Sequence, residues 1–254
     1  MRFAVNGLRL AFSWLTVLPV RGPDDVDRPA AARAIAFAPV VGLVLGAAAT
    51  GLLWVLAGAG ASAPLAGLLT VAALALITRG MHLDGLSDTM DGLGSYGPPE
   101  RAREIMKGGG AGPFGVAAIV IAVGVQAFSF AALASEGRWF AVALAITGGR
   151  VVVVLACLRG TAAAPGSGFG TLVAGTQSPL TASLWMLAAL LAAIFAVPDR
   201  PWLGPATVVL AVALTAILVR HTVSRFGGLS GDVLGATLEI TVAATAFGFS
   251  LGGH

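Results

Sequence analysis

Charge is what this chain has least of. Asp, Glu, Lys and Arg make up 11% of its 254 residues, against roughly 25% in an ordinary soluble domain, while 57% are hydrophobic and mean hydropathy is +0.91. A soluble globular domain is excluded on that balance. The uncharged runs also exceed the roughly 9 to 11 residues that a barrel strand needs, which points to an all-α, polytopic transmembrane bundle. Cysteine is equally scarce. Cys157 is alone, so no intrachain disulfide and no thiolate metal cluster can form. The N-terminal apolar stretch, Leu10 to Val20, lacks a small-residue cleavage site, so a removable signal peptide is not expected. The net charge of +3 is spread over short loops between apolar runs, a pattern of topology and of contact with anionic lipid headgroups rather than with nucleic acid. What the chain has in plenty is glycine, 35 residues, which suits helices packed closely in lipid.

Residues 1–33 carry Arg2, Arg9, Arg21, Arg28 and Arg33 around LAFSWLTVLPV, too short to cross a hydrocarbon core of roughly 30 Å, and read as a cytoplasmic interfacial or re-entrant segment. The remainder, within one domain over 1–254, reads as about seven spans (six to eight), near 35–57, 63–81, 113–135, 138–158, 180–197, 203–222 and 233–251. With that count, the N-terminal arginines share one side with Arg79, Arg101, Arg103, Lys107, Arg159, Arg220 and Arg225, and only Arg138 and Arg200 fall on the other. Such a bias places the N-terminus and one rim of the bundle in the cytoplasm of a cell (inner) membrane.

The acidic residues are few, and three of them stand together in MHLDGLSDTMDGL. Asp84, Asp88 and Asp91 are spaced i, i+4, i+7, which puts them on one face of a helix. Unpaired, they repel. Hard oxygen ligands with no cysteine and at most one histidine favour Mg²⁺ or Mn²⁺ over zinc, and such ions usually act on phosphate or pyrophosphate. His82 falls on a different face, as a neighbour of the acids, a general base, or an ordinary interface histidine.

Other residues are weighed against plainer readings. Glu104 and Lys107 follow Arg101 and Arg103 on a short helix from Pro99 to Lys107, either a salt-bridged surface or a phosphate holder. The glycine-rich KGGGAGPFG precedes a helix, so its backbone amides could approach phosphate, or it is a hinge. Arg150 lies inside an apolar span and needs an anion, from the protein or from a substrate. Asp232 and Glu239, seven apart at the start of the last span, would supply either a second half of the metal site or a partner for Arg150. Arg225 and His221 just before them have membrane anchoring as the plain alternative to substrate binding.

Three ordered blocks, HLDGLSDTMDGLGS, REIMKGGGAGPFGV and GGLSGDVLGATLEI, with FAPVVGLVLG before them, resemble the membrane cobalamin synthase family, adenosylcobinamide-GDP ribazoletransferase, over nearly the whole chain. The resemblance implies Mg²⁺-dependent joining of adenosylcobinamide-GDP and α-ribazole, or its 5′-phosphate, with release of GMP. It implies metal binding by Asp84, Asp88, Asp91, Asp232 and Glu239; from the chemistry of such a transfer, Asp88 or Asp91 is the expected base, with His82 beside them. Arg101, Arg103, Lys107, Arg150 and Arg225 would hold substrate. One departure stands out: where the family usually has a polar run, this chain has Gly108, Gly109 and Gly110, so either backbone amides substitute or activity is reduced. The rival readings are a CDP-alcohol type membrane phosphotransferase, whose aspartate spacing is not found here, and, less favoured, a cation-coupled transporter. Membrane lipid is an expected partner, nucleic acid is not, and a homo-oligomer is compatible with the sequence.

Overall fold

In a computed structural model, which describes residues 2–251, the apolar runs become helices. Among the described residues these are α1 (Arg2–Leu15), α2 (Arg28–Ala36), α3 (Ala38–Gly58), α4 (Ala63–Ile77), α5 (Met81–Gly94), α6 (Pro99–Met106), α7 (Pro113–Ser135), α8 (Trp139–Ala156), α9 (Gly168–Val173), α10 (Pro179–Ala193), α11 (Leu203–Phe226) and α12 (Gly231–Ser250). Met1 and residues 252–254, the ends of the domain read over 1–254, lie outside the described residues. Proline opens α3, α4, α6, α7 and α10, where its missing N–H costs nothing because the first helical amides have no intrahelical partner. Serine side chains cap α9, α10 and α12.

Five helices are long and apolar enough to cross a membrane: α3, α7, α8, α11 and α12. A sixth crossing appears if α4 and α5, bent by 92° to each other, count as one broken span. The expected run from 63 to 81 therefore does not continue straight. The remaining candidate, α10, has 15 residues, about 22 Å of helix against a core of roughly 30 Å. α8 and α12 form the centre, with 72% and 67% of their apolar windows buried, whereas only 28% is buried in α11. Polar positions can therefore be held away from lipid on α8 and α12.

The bend between α4 and α5 has a local cause. Thr78 Oγ1 donates back to the Leu74 and Ala75 carbonyls, ending α4, and Arg79 and Gly80 then both adopt left-handed backbone, φ 59° and 67°. That conformation is free for glycine and costly for arginine. Arg79 is held there by its guanidinium, which donates to the carbonyls of Ser13 (2.8 Å), Trp14 (3.3 Å) and Thr16 (3.1 Å) at the end of α1. The N-terminal segment is thereby fastened over the bend.

The turn delivers α5 against α12 at backbone contact. A Cβ on Gly85 would sit 2.8 Å from the Asp232 carbonyl oxygen and 2.9 Å from its Cα, and one on Gly235 would sit 3.1 Å from the His82 Cα. Only residues without a side chain allow this approach. Replacing Gly85 by Ala is expected to lower thermal stability in detergent by about 1–3 kcal/mol through overpacking. The same change at Gly51, where a Cβ meets nothing within 4 Å, should be neutral or slightly stabilising. Equal melting temperatures for the two variants would refute the close-contact account.

Candidate active site

The glycine contact between α5 and α12 sets three carboxylates from two helices near one another. Asp88 lies within electrostatic reach of Asp84, Asp232 and Asp91, and Asp232 within reach of Asp84. Asp84 is exposed, while Asp88 and Asp232 are half-buried. Ser230 caps α12 through the Val233 amide and donates to Asp232 Oδ2 at 3.2 Å, which fixes that carboxylate's position. The ion pairs among the described residues are Arg101–Glu104, Arg103–Glu100 and Arg138–Glu136, and none takes an aspartate of this cluster.

Asp91 is used differently from what its spacing suggests. It is 8% exposed, and its two oxygens accept the backbone N–H groups of Gly112 (2.7 Å) and Gly115 (2.9 Å) at the start of α7. The i, i+4, i+7 register is present, but its third member is a helix cap. The same bonds occupy two of the glycine-rich segment's amides that the sequence offered to phosphate. Both glycines are needed because a Cβ at either would run into the Asp91 carboxylate.

Glu239 also departs from the cluster. Seven residues beyond Asp232, it stands about 10 Å further along the helix axis, where its Oε2 accepts a 2.7 Å bond from Gln126 Nε2 of α7. It acts electrostatically on Arg150 of α8, so of the two alternatives in the sequence, the structure gives it Arg150 as its neighbour. Arg150, 4% exposed, donates to the Ile146 carbonyl and has no partner for Nε. His82, 6% exposed, likewise has no partner for Nδ1. Gln126, 2% exposed, went unnoticed in the sequence, although a lone amide in an apolar span is a signal that could have found it.

A cavity of about 660 Å³ is lined by Asp84 and Asp232, by Arg79, His82 and Arg150, and by Trp14 and Phe169 among others, while Asp88, Asp91, Gln126 and Glu239 do not line it. A smaller one, about 230 Å³, lies beyond Phe169 and Asp232, which line both, and is walled by Arg103, Lys107 and the 164–169 loop. That loop is pinned to the α11–α12 connection by the Ala164 amide on the Leu229 carbonyl (3.0 Å) and the Leu229 amide on the Ala162 carbonyl (2.8 Å). Arg103 also donates to the Phe226 carbonyl at 2.9 Å, and Lys107 to the Gly166 carbonyl at 3.4 Å. On the same helix, Glu100 is held below its ordinary carboxylate range by its own backbone amide and by Arg103. Arg101 is exposed, pairs with Glu104, and lines neither cavity. Arg225 donates to the Ser95 carbonyl (3.1 Å), tying α11 to the end of α5, and also lines neither.

As placed, no three His, Cys, Asp or Glu side chains among the described residues converge on one metal-binding point. By donor chemistry, Asp84, Asp88 and Asp232 nonetheless fit a hard divalent cation: all are carboxylates, and no ion pair among the described residues takes them. Asp91 and Glu239 do not fit, because their oxygens serve amides.

A bundle of membrane-length helices with an acidic cleft beside a buried arginine defines the class, an integral membrane protein. A family model described as cobalamin-5-phosphate synthase matches residues 7–250, and the chain belongs to that family, so it is a transferase of cobalamin synthesis. It is 40% identical over 255 residues to the adenosylcobinamide-GDP ribazoletransferase of Frankia casuarinae, covering 93% of this chain and 91% of that one. It is 38% identical to the enzymes of that name from Corynebacterium efficiens, covering 95% and 90%, and from a Nocardioides species, covering 93% and 95%. No solved structure matches.

Removing the Asp91 carboxylate should be felt at α7. Asp91→Ala is expected to cost about 1–3 kcal/mol by leaving one buried and one half-buried amide unpaired and to speed hydrogen exchange at Gly112 and Gly115. Unchanged exchange there would show that the cap is not formed.

Proposed function

We propose that the protein joins adenosylcobinamide-GDP to α-ribazole, or to its 5′-phosphate, giving adenosylcobalamin, or its 5′-phosphate, and GMP, with Mg²⁺ required. The observation that carries this reading is the facing of Asp84 and Asp88 on α5 and Asp232 on α12, beside a cavity that also holds buried Arg150. Phosphoryl transfer asks little covalent chemistry of a protein and much positioning and charge neutralisation, and this site offers both. In the reaction a free ribose hydroxyl, other than the 5′ position that keeps its phosphate in the 5′-phosphate substrate, forms a bond to the cobinamide-linked phosphorus, the bond from that phosphorus to the GMP oxygen breaks, and the hydroxyl proton leaves to a base.

Asp84, Asp88 and Asp232 would hold the Mg²⁺, which when bound supplies neutralising charge to the pyrophosphate oxygens. Asp88, half-buried among the other acids, is the better placed of the two candidate bases, since Asp91 already accepts two amides. Arg150 and Lys107 offer positive charge to the pyrophosphate and to the departing GMP, from opposite sides of Asp232. His82 faces the same cavity with Nδ1 unpartnered and would orient the attacking hydroxyl. Arg103 supports the smaller cavity; Arg101 and Arg225 serve as structural cations in this reading. For topology, α10 makes a short seventh crossing, so that the N-terminus and the acidic cleft face the cytoplasm of the cell membrane.

Asp84→Asn and Asp232→Asn should each abolish Mg²⁺-dependent GMP release while expression and membrane insertion persist. Asp88→Asn should lower kcat by about 10²–10⁴-fold. The assay is GMP formation by purified protein with both substrates, and undiminished turnover in Asp84→Asn would sink the metal assignment. Glu239→Gln should keep substantial Mg²⁺ dependence, in contrast with the three aspartates; a matching loss of metal response would return Glu239 to the metal site.

A further inference from the structure

The acids and cations leave one wall of the 660 Å³ cavity unexplained. There Trp14 of α1 and Phe169 of α9 meet edge to face, with ring centroids 5.1 Å apart and planes at 64°. Both are half-buried, so part of each ring stays uncovered. Neither is loosely held. Arg79 grips the Trp14 carbonyl, while α9 is fixed by Ser167, which accepts the Gly170 amide at 3.0 Å, and by Arg28, which donates to the Thr171 and Ala174 carbonyls. Phe169 also rests on Gly231, next to Asp232, where a Cβ would meet its ring at 3.4 Å. A preformed aromatic pair thus lines the same cavity as Asp84, Asp232 and Arg150.

We propose that Trp14 and Phe169 form a stacking wall for the planar heteroaromatic base of a nucleoside, whose sugar and phosphate end extends to Asp84, Asp232 and Arg150. Rings of this kind bind any such base by its π-face, and their rigidity lowers the cost of ordering the site. The inference rests on the proposed reaction, because both substrates named there carry such a base: guanine in one and the ribazole base in the other. It gives α1 a function beyond lying at the interface, as a wall of the active site.

The test uses the full chain in lipid nanodiscs, with Trp14→Leu, Trp14→Phe and Phe169→Leu. GMP release is followed while each substrate is varied in turn. Trp14→Leu and Phe169→Leu should raise the KM of one base-bearing substrate about tenfold, within the range that stacking of one base accounts for, and more than they lower kcat. Trp14→Phe should recover most of that loss. A rise for adenosylcobinamide-GDP alone, which carries adenine as well as guanine, assigns the wall to guanine when GMP also gives a tryptophan fluorescence difference, and a rise for α-ribazole alone assigns it to the ribazole base. Equal rises for both, or a loss carried only by kcat, mark a packing role and overturn the proposal. Tryptophan fluorescence, titrated separately with GMP and with α-ribazole, supplies a readout without turnover, taken as wild type minus Trp14→Phe. A difference signal with one ligand supports the wall, and none with either ligand overturns it. Should wild type show quenching but no GMP release, the reaction fails and the base site stands. Should Trp14→Leu fail to fold, Phe169→Leu, on a separate element, decides the question.

Discussion

The contact on which the site depends is the backbone approach of α5 to α12 through Gly85 and Gly235. Carboxylates repel, and nothing in a low-dielectric bundle favours gathering several of them unless packing elsewhere supplies the free energy. Here the packing is made by atoms that do not titrate. With no side chain between the helices, Asp84 and Asp88 on one and Asp232 on the other are brought into mutual electrostatic reach. The proposed Mg²⁺ would relieve that repulsion. A bulkier residue at either glycine would push the acids apart before it disturbed any of them directly.

Two restraints keep that contact in register. At one end of α5, Arg79 accepts an unfavourable backbone conformation and recovers the cost through the carbonyls of Ser13 and Trp14 of α1 and of Thr16 just beyond it. At the other, Asp91 clasps the first amides of α7 and Arg225 holds the Ser95 carbonyl. α5 is therefore fixed along its length by polar contacts to three other helices, where a lipid-facing helix would rely on apolar packing alone. That is consistent with a segment that turns by 92° out of the direction of α4 and is too polar to cross the membrane by itself.

Much of this was legible in the sequence. Hydropathy and proline positions marked the apolar helices to within a few residues, and the spacing of Asp84, Asp88 and Asp91 correctly described a helix from Met81. The pairing of α5 with the GDVLGATLE helix was expected as two walls of one site. Periodicity could not show what each acid would touch, because it orders residues along one helix and says nothing of its neighbours. Asp91 shares a face with Asp84, yet α7 starts beside it and its amides take both oxygens. Glu239 shares a face with Asp232, yet at its depth the neighbours are Gln126 and Arg150. The bend was hidden for a similar reason: Thr78, Arg79 and Gly80 read as the polar end of a span, and only the carbonyls of α1, distant in sequence, stabilise a left-handed arginine there.

The deeper polar group bears on how the cleft selects charge. An arginine enclosed in a helical bundle is expensive unless an anion answers it. Glu239 answers Arg150 through space without forming a direct ion pair, since its own oxygen is committed to Gln126. The guanidinium is thus stabilised without being saturated, and its Nε keeps no protein partner. A fully paired arginine would present no field to the cavity, and an unanswered one would not stay buried. The intermediate arrangement leaves positive potential at the inner wall of a cleft whose rim is acidic, and with the proposed cation on the rim carboxylates an anionic group would be favoured there. Charge order from rim to depth, negative then positive, is in this way set by which helix carries each residue and by how far along it the residue lies.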